Sequence, residues 1–198
     1  MDISAWIEKQ HLTRQIVIEK KPFHHLLLKN FLREHKAAIL KKALCKEPFF
    51  QKETDLLKFK QSHDFYSTQN KQLHHAYDFF RSPQLISFIS KITKTKLSSQ
   101  KISIAGSLYE DSDFLLCHDD QLEGRKIAFM YYLSTLEPQQ GGALELFSSH
   151  QGRPLKIEKR YYPCYNTLLL FTVSPTSFHQ VQEVIKAQRL SLSGWFYG

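Results

Sequence analysis

His118 and Asp120 stand two apart in Leu115-Leu116-Cys117-His118-Asp119-Asp120, and a second histidine, His179, and then Arg189 follow far down the chain. On an extended segment, residues i and i+2 project to one face, so His118 and Asp120 converge while Asp119 points away. Two imidazoles and one carboxylate on one face of a metal, with positions left open, form the donor set of non-haem Fe(II) oxygenases. Zinc accepts the same ligands, so the triad alone leaves the metal open. The His-x-Asp pair by itself is a weak signal, because ten histidines in 198 residues meet an aspartate at that spacing roughly 0.4 times by chance.

Arg189 separates the two metals. It heads an otherwise uncharged closing segment, Leu190 to Tyr197, and a cation in such a segment needs an anion. One reading is an internal ion pair with Glu183 or Glu145. The other is a bidentate clamp on the distal carboxylate of 2-oxoglutarate, whose opposite end chelates iron. Tyr132 then either donates a second hydrogen bond to that carboxylate or simply packs in the core. A zinc-dependent hydrolase built on the same triad gives Arg189 no role and lacks an obvious general base.

These residues need a scaffold, and the composition supplies one. Apolar residues make up 42% and aromatics 13%, with fifteen Phe and nine Tyr, enough for a packed core in one domain spanning 1–198 and too much for a disordered chain. The net charge of +8 comes from lysines scattered along the first hundred positions, as solvated helix faces require. Direct nucleic-acid binding is therefore not expected, and a non-catalytic RNA- or ribosome-associated module stays as an alternative. Three widely spaced cysteines without a CxxC pair point to a reducing compartment and no structural zinc. The charged start and the lack of a long apolar run predict a soluble intracellular protein without a membrane anchor.

Residues 1–100 read as mostly helical support. Asn30 is placed to cap a helix carrying Leu32, Ile39, Leu40, Ala43 and Leu44 and ended by Pro48. Leu73, Tyr77 and Phe80 line a second helix, and Ser82-Pro83 starts a third with Leu85, Ile89 and Ile92 inward. From about residue 101 the period becomes two, through Ile102, Ile104 and Leu108, then Ile127, Phe129, Tyr131 and Leu133, then Leu168, Leu170 and Val173. About eight short strands with regular breakers predict a β-sandwich or jelly roll at 101–198, an α+β fold with helices against one sheet. His24-His25 and His74-His75 read as polar surface, and Gly141-Gly142 as a turn into a strand.

With these residues in place, the chain resembles the 2-oxoglutarate- and Fe(II)-dependent prolyl hydroxylases that modify a proline in a decoding-centre protein of the small ribosomal subunit. The resemblance lies in the His118 segment with Glu123 to Phe129, in Val173-Ser174-Pro175-Thr176-Ser177-Phe178-His179-Gln180-Val181, and in Arg189 to Phe196. It extends into Asn30-Phe31-Leu32 and Asp55 to Ser62 of the first half. It implies a double-stranded β-helix core, with His118, Asp120 and His179 as iron ligands and Arg189 with Tyr132 anchoring the cosubstrate. Tyr109 matches a position lining the cosubstrate pocket, Trp195 an aromatic at the pocket wall, and Arg125 a residue at the substrate entrance.

By the same resemblance the reaction is peptidyl-proline hydroxylation coupled to oxidative decarboxylation of 2-oxoglutarate, with dioxygen as second cosubstrate and ascorbate as supporting reductant. The implied partner is a protein substrate, such as a small-subunit ribosomal protein, in the cytoplasm and, in a eukaryote, also the nucleus. Another protein or a small molecule as substrate is the alternative within the same chemistry. Eukaryotic members carry a second, non-catalytic double-stranded β-helix after the first, and this sequence ends at Gly198, just past the first domain's closing strand.

Overall fold

A computed structural model of the protein describes residues 2–198, with only the backbone at positions 99 and 100. Four α-helices, α1 (Lys9–Thr13), α2 (Glu34–Leu44), α3 (Lys71–Phe80) and α4 (Pro83–Thr93), all fall in the first half. That half also holds strands β1 (His25–Lys29), β2 (Phe50–Thr54) and β3 (Leu57–Asp64). The second half is built from β4 (Ser98–Tyr109), β5 (Phe114–His118), β6 (Arg125–Tyr132) and β7 (Leu144–His150). It continues with β8 (Arg153–Tyr161), β9 (Thr167–Thr172), β10 (His179–Val181) and β11 (Arg189–Tyr197).

All pairings are antiparallel. One layer has the order β1-β9-β6-β11-β4 and the other β5-β10-β7-β8, with β3 joining them. Lys60 to Asp64 of β3 run beside β4, while Leu57 and Lys58 pair with Phe114 and Leu115 of β5. The β2–β3 hairpin thus straps the two layers together at one side, and β2 covers the outer edge of β3. The eight strands expected after residue 100 are present, and this is the α+β jelly roll that their spacing predicts.

Strands β6 and β9 are buried on both faces, which is why their sequences are nearly continuous apolar runs. Ile127, Phe129, Tyr131, Leu168 and Leu170 face the helices, in one core with Leu40, Leu44, Leu73, Phe80, Leu85 and Ile89. Phe80 stacks on Phe129 with ring centroids 5.3 Å apart. A side chain of this size, fully buried, contributes about 1.5–3 kcal/mol. The alternate residues Ala128, Met130, Tyr132, Leu169 and Phe171 face the space between the layers. Helix α4 starts as expected, with Ser82 accepting the Leu85 amide and Pro83 in the first turn, and α3 is capped by Asn70, which accepts the Gln72 amide.

Four expectations from the first half and its motifs need correction. The segment read as mostly helical contributes three strands, because Leu57-Lys58-Phe59-Lys60-Gln61 alternates and finds pairing partners in β4 and β5, about fifty residues away in the chain. Asn30 is not a helix cap: it sits at φ 52 after β1, a left-handed turn that Asn tolerates, and α2 begins only after Arg33. Ile39, assigned to the inward face of that helix, is 44% exposed. His25 is not surface, being buried on β1 with Nδ1 on the Phe23 carbonyl and Nε2 2.7 Å from the Tyr161 hydroxyl.

Among the described residues, no helix is long and apolar enough to cross a membrane.

Candidate functional site

The space between the layers holds a cavity of about 240 Å³, and its walls contain most of the residues singled out from the sequence. His118 closes β5 and His179 opens β10, and the two are direct cross-strand partners. Their rings lie 4.2 Å apart, centroid to centroid. His118 Nδ1 is 2.9 Å from the Leu116 carbonyl and His179 Nδ1 is 2.8 Å from the Ser177 carbonyl. A carbonyl only accepts, so both Nδ1 atoms carry the proton and both Nε2 atoms are left free as ligands.

Those two Nε2 atoms face Asp120, at 3.5 Å from Oδ1 and 3.4 Å from Oδ2. The three ligand atoms fall within 4.8 Å of one another, close enough to share one metal ion. The expected convergence is present, but its geometry differs from the extended segment assumed for i and i+2. Strand β5 ends at His118, and Asp120 reaches the histidines from a left-handed turn at φ 62. Aspartate is among the few residues that accept this conformation at low cost. Burial would push the Asp120 carboxyl up, but hydrogen bonds and charge from His118 and His179 outweigh it and hold the group well below the usual carboxylate range. Burial also opposes charge on His118, yet Asp120 raises it above the ordinary imidazole value. Asp120 is thus held as an anion between the two imidazoles.

Arg189 is fully buried at the start of β11, opposite Tyr109 of β4. Neither ion pair open to it in the sequence forms: Glu145 takes Arg160 and Gln180 instead, and Arg189 pairs with no carboxylate among the described residues. Its Nε donates to the Gly142 carbonyl at 3.0 Å and its Nη1 to the Ser191 hydroxyl at 3.1 Å. Among the described residues its Nη2 has no hydrogen-bond partner, and neither has the hydroxyl of fully buried Tyr132. The guanidinium carbon lies 4.9 Å from the Tyr109 ring and 5.2 Å from the Tyr132 ring. Burial pushes both phenols up, with the Arg189 charge pulling part of the way back. A buried cation with a free N–H beside a free O–H is costly unless an anion completes it.

Gly141-Gly142 does more than turn the chain. Both residues have positive φ, and a Cβ on Gly141 would meet the Glu183 carbonyl oxygen at 2.0 Å. This close approach brings the Gly142 carbonyl onto Arg189, a role that sequence spacing did not reveal. The Leu57, Phe59 and Gln61 wall from β3 was also missed, although Phe59 stacks on Tyr109 at 4.8 Å. Its signal was the alternation within Leu57 to Gln61. Trp195 and Arg125 lie at the metal end rather than beside Arg189. The Trp195 Nε1 donates to Asp120 Oδ2 at 3.0 Å, and the Arg125 guanidinium covers the Trp195 ring at 3.5 Å.

The donor set and the two orphaned polar atoms fit Fe(II) and a dicarboxylate: His118, Asp120 and His179 for the ion, Arg189 and Tyr132 for the distal carboxylate. The fold and this site define a double-stranded β-helix oxygenase. The sequence profile of the 2OG-Fe(II) oxygenase superfamily matches residues 104–197, and the chain belongs to that superfamily.

Within it, the chain is 38% identical over 192 residues to the Mus musculus protein named prolyl 3-hydroxylase OGFOD1, covering 92% of this chain and 34% of the relative. The Xenopus laevis protein of the same name is 36% identical over 192 residues, covering 92% of this chain and 36% of the relative. The chain thus spans about a third of the length of these curated relatives. Among solved structures, a Trichoplax adhaerens prolyl hydroxylase in complex with a hypoxia inducible factor peptide superposes with a TM-score of 0.70 at 16% identity, covering 95% of this chain and 86% of that one. Family membership implies Fe(II), 2-oxoglutarate and dioxygen as the reactants that accompany the substrate.

Proposed function

We propose that residues 1–198 form one catalytic unit that hydroxylates a prolyl residue of a protein, with His118, Asp120 and His179 holding Fe(II) and Arg189 with Tyr132 holding 2-oxoglutarate. The observation that carries this reading is the pair of buried donors without a hydrogen-bond partner among the described residues, Arg189 Nη2 and Tyr132 Oη, with the Arg189 guanidinium 4.9 Å from Tyr109, which lines the cavity that also contains the triad. A zinc hydrolase has no use for them. When bound, iron and 2-oxoglutarate supply the oxidant that places one atom of dioxygen in a C–H bond, releasing succinate and carbon dioxide.

The chain's own part is to bind, orient and keep dry. Three ligands on one face leave the other positions of the ion to cosubstrates. Arg189 offers a charge-assisted hydrogen bond to the distal carboxylate and Tyr132 a neutral one. Phe171 packs edge-on against His179 at 4.6 Å, and Leu57, Phe59, Leu115 and Met130 keep the cavity apolar. Such walls exclude water and strengthen the electrostatic contacts inside.

A small-subunit ribosomal protein as substrate follows from the sequence resemblance, and oxidation at C3 from the activity named for the mouse and Xenopus relatives. Ascorbate serves as supporting reductant, and the cytoplasm as the site of action. The test is to incubate the protein with Fe(II), 2-oxoglutarate, ascorbate and a proline-containing peptide from the decoding-centre loop. The expected outcome is succinate formation and a peptide heavier by one oxygen, both lost in Arg189→Ala. Turnover of 2-oxoglutarate with an unchanged peptide mass would move the substrate elsewhere, and no turnover would remove the oxygenase reading.

A further inference from the structure

Asp120 is the one member of the triad that no strand carries. Its residue type accepts the left-handed turn, but nothing in β5 continues past His118 to hold it, and a carboxylate free to rotate could take a metal through one oxygen or two. What surrounds it removes that freedom. The Trp195 indole N–H occupies Oδ2 at 3.0 Å. Trp195 itself is fixed within the sheet, with Ala128 of β6 on one side and Ser103 of β4 on the other. The Arg125 guanidinium lies flat over the indole at 3.5 Å, a contact whose strength grows with desolvation.

Arg125 reaches Asp120 only weakly. Its Nη1 is 3.7 Å from Oδ1, outside a good hydrogen bond, and 3.4 Å from the Asp120 backbone carbonyl. Its Nε is buried with no partner among the described residues. The stack therefore holds the guanidinium where it lends positive charge to the turn without claiming the Oδ1 lone pairs. Ser177 adds a hydroxyl 3.4 Å from the Asp119 carbonyl, so the same turn is pinned from a third side.

We infer that Trp195 and Arg125 are positioning residues that present Asp120 to the metal through Oδ1 alone, with Trp195 reserving Oδ2 and Arg125 bracing the indole and the turn. This rests on the ligand assignment proposed above. It gives Arg125 a task beside the metal ligands, and Trp195 a hydrogen bond in addition to its place in the cavity lining. Groups that orient a ligand in this way typically change metal affinity by about 10–100-fold when removed.

The experiment compares wild type, Trp195→Phe, Arg125→Met and Asp120→Ala as apoproteins titrated with Mn(II), followed by the electron paramagnetic resonance signal of the free ion. Visible spectra of the Co(II) forms report coordination number. Trp195→Phe keeps an aromatic ring beneath Arg125, smaller than the indole, and removes the donor. It is expected to melt within a degree or two of wild type without metal, to bind Mn(II) about 10–100-fold more weakly, and to change the Co(II) spectrum as Oδ2 becomes free to ligate. Arg125→Met is expected to weaken binding less and to leave the Co(II) spectrum nearer to wild type.

Mn(II) affinity and a Co(II) spectrum indistinguishable from wild type in Trp195→Phe would overturn the inference. If that variant does not fold, β-(3-benzothienyl)alanine at 195, which keeps the shape and lacks the N–H, takes its place with the same expected and opposing results. Loss of uptake in Asp120→Ala alongside an unchanged Trp195 variant removes this inference alone. Unchanged uptake in Asp120→Ala removes the ligand assignment as well.

Discussion

Tyr131 and Tyr132 are consecutive on β6, both fully buried, and on opposite faces of the same sheet. The Tyr131 hydroxyl donates to Asn166 Oδ1 at 2.8 Å, in a cluster where Asn166 also accepts from the Leu32 amide and donates to the Leu32 carbonyl. Among the described residues the Tyr132 hydroxyl has no hydrogen bond of good geometry, and neither has Arg189 Nη2, although the Arg189 guanidinium lies near enough to offset part of the upward push of burial on the phenol. The helix-facing side of the sheet is a core in which polar groups are paired because leaving them unmade costs about 1–3 kcal/mol each. The cavity-facing side keeps that cost in place, and a ligand that relieves it gains the same amount. The difference between two adjacent tyrosines therefore separates packing from binding more clearly than burial does.

The largest effect expected on the cavity side is from Asp120→Ala. Metal uptake should fall by more than the roughly 100-fold that changes outside the ligand shell reach, with 2-oxoglutarate turnover lost and the apoprotein melt retained. Equilibrium dialysis and calorimetry read both. Arg189→Met follows, since it keeps most of the volume and removes the charge. The substitution is expected to weaken 2-oxoglutarate binding by about 2–5 kcal/mol with a smaller change in stability, because removal of the unsatisfied Nη2 offsets the hydrogen bonds lost to the Gly142 carbonyl and Ser191 hydroxyl. A variant that instead loses stability and binds the acid normally would make Arg189 a core residue.

The tyrosines themselves give the paired test. Tyr131→Phe should cost about 1–2 kcal/mol of stability in urea titration and leave the affinity for 2-oxoglutarate unchanged. Tyr132→Phe should do the reverse, with unchanged or raised stability and an affinity lower by about 1 kcal/mol, roughly fivefold. The smallest effect concerns His25, a buried polar group that is paired. Burial is the largest influence and pushes it below 6.5, although Glu19 pulls the other way. A depressed value favours the neutral ring in the folded chain, so its stability contribution is full above pH 6.5 and declines as pH falls through that value toward the folded one. His25→Gln should flatten that decline in thermal melts taken across the range.

Much of this was readable in the chain. The strands after residue 100 announced themselves by period two and regular breakers, α3 by its apolar spacing, α4 by Ser82-Pro83, and the candidate triad by residue type with two long flanking motifs. Asn30 misled because a capping residue and a residue that tolerates a left-handed turn are the same residue. The strand β3 was passed over because Leu57 to Gln61 is short and lysine-rich, and its register comes from β4 and β5 rather than from its neighbours. Gly141-Gly142 read as a turn because the carbonyl it offers is defined only by where Arg189 arrives.

Residue identity and spacing were enough to propose the donor residues, since two imidazoles and a carboxylate suit a facial metal site whatever the fold. The fold had to supply their relations. His118 and His179 face each other because β5 and β10 pair across sixty residues of chain. Asp120 selects an oxygen because Trp195 on β11 holds the other. Arg189 Nη2 and Tyr132 Oη are unpaired together among the described residues because the pairing of β11 with β6 buries them in one region. Each of these depends on contacts between positions remote in sequence, and whether a buried hydrogen bond is made or withheld can be read only where its surroundings are complete.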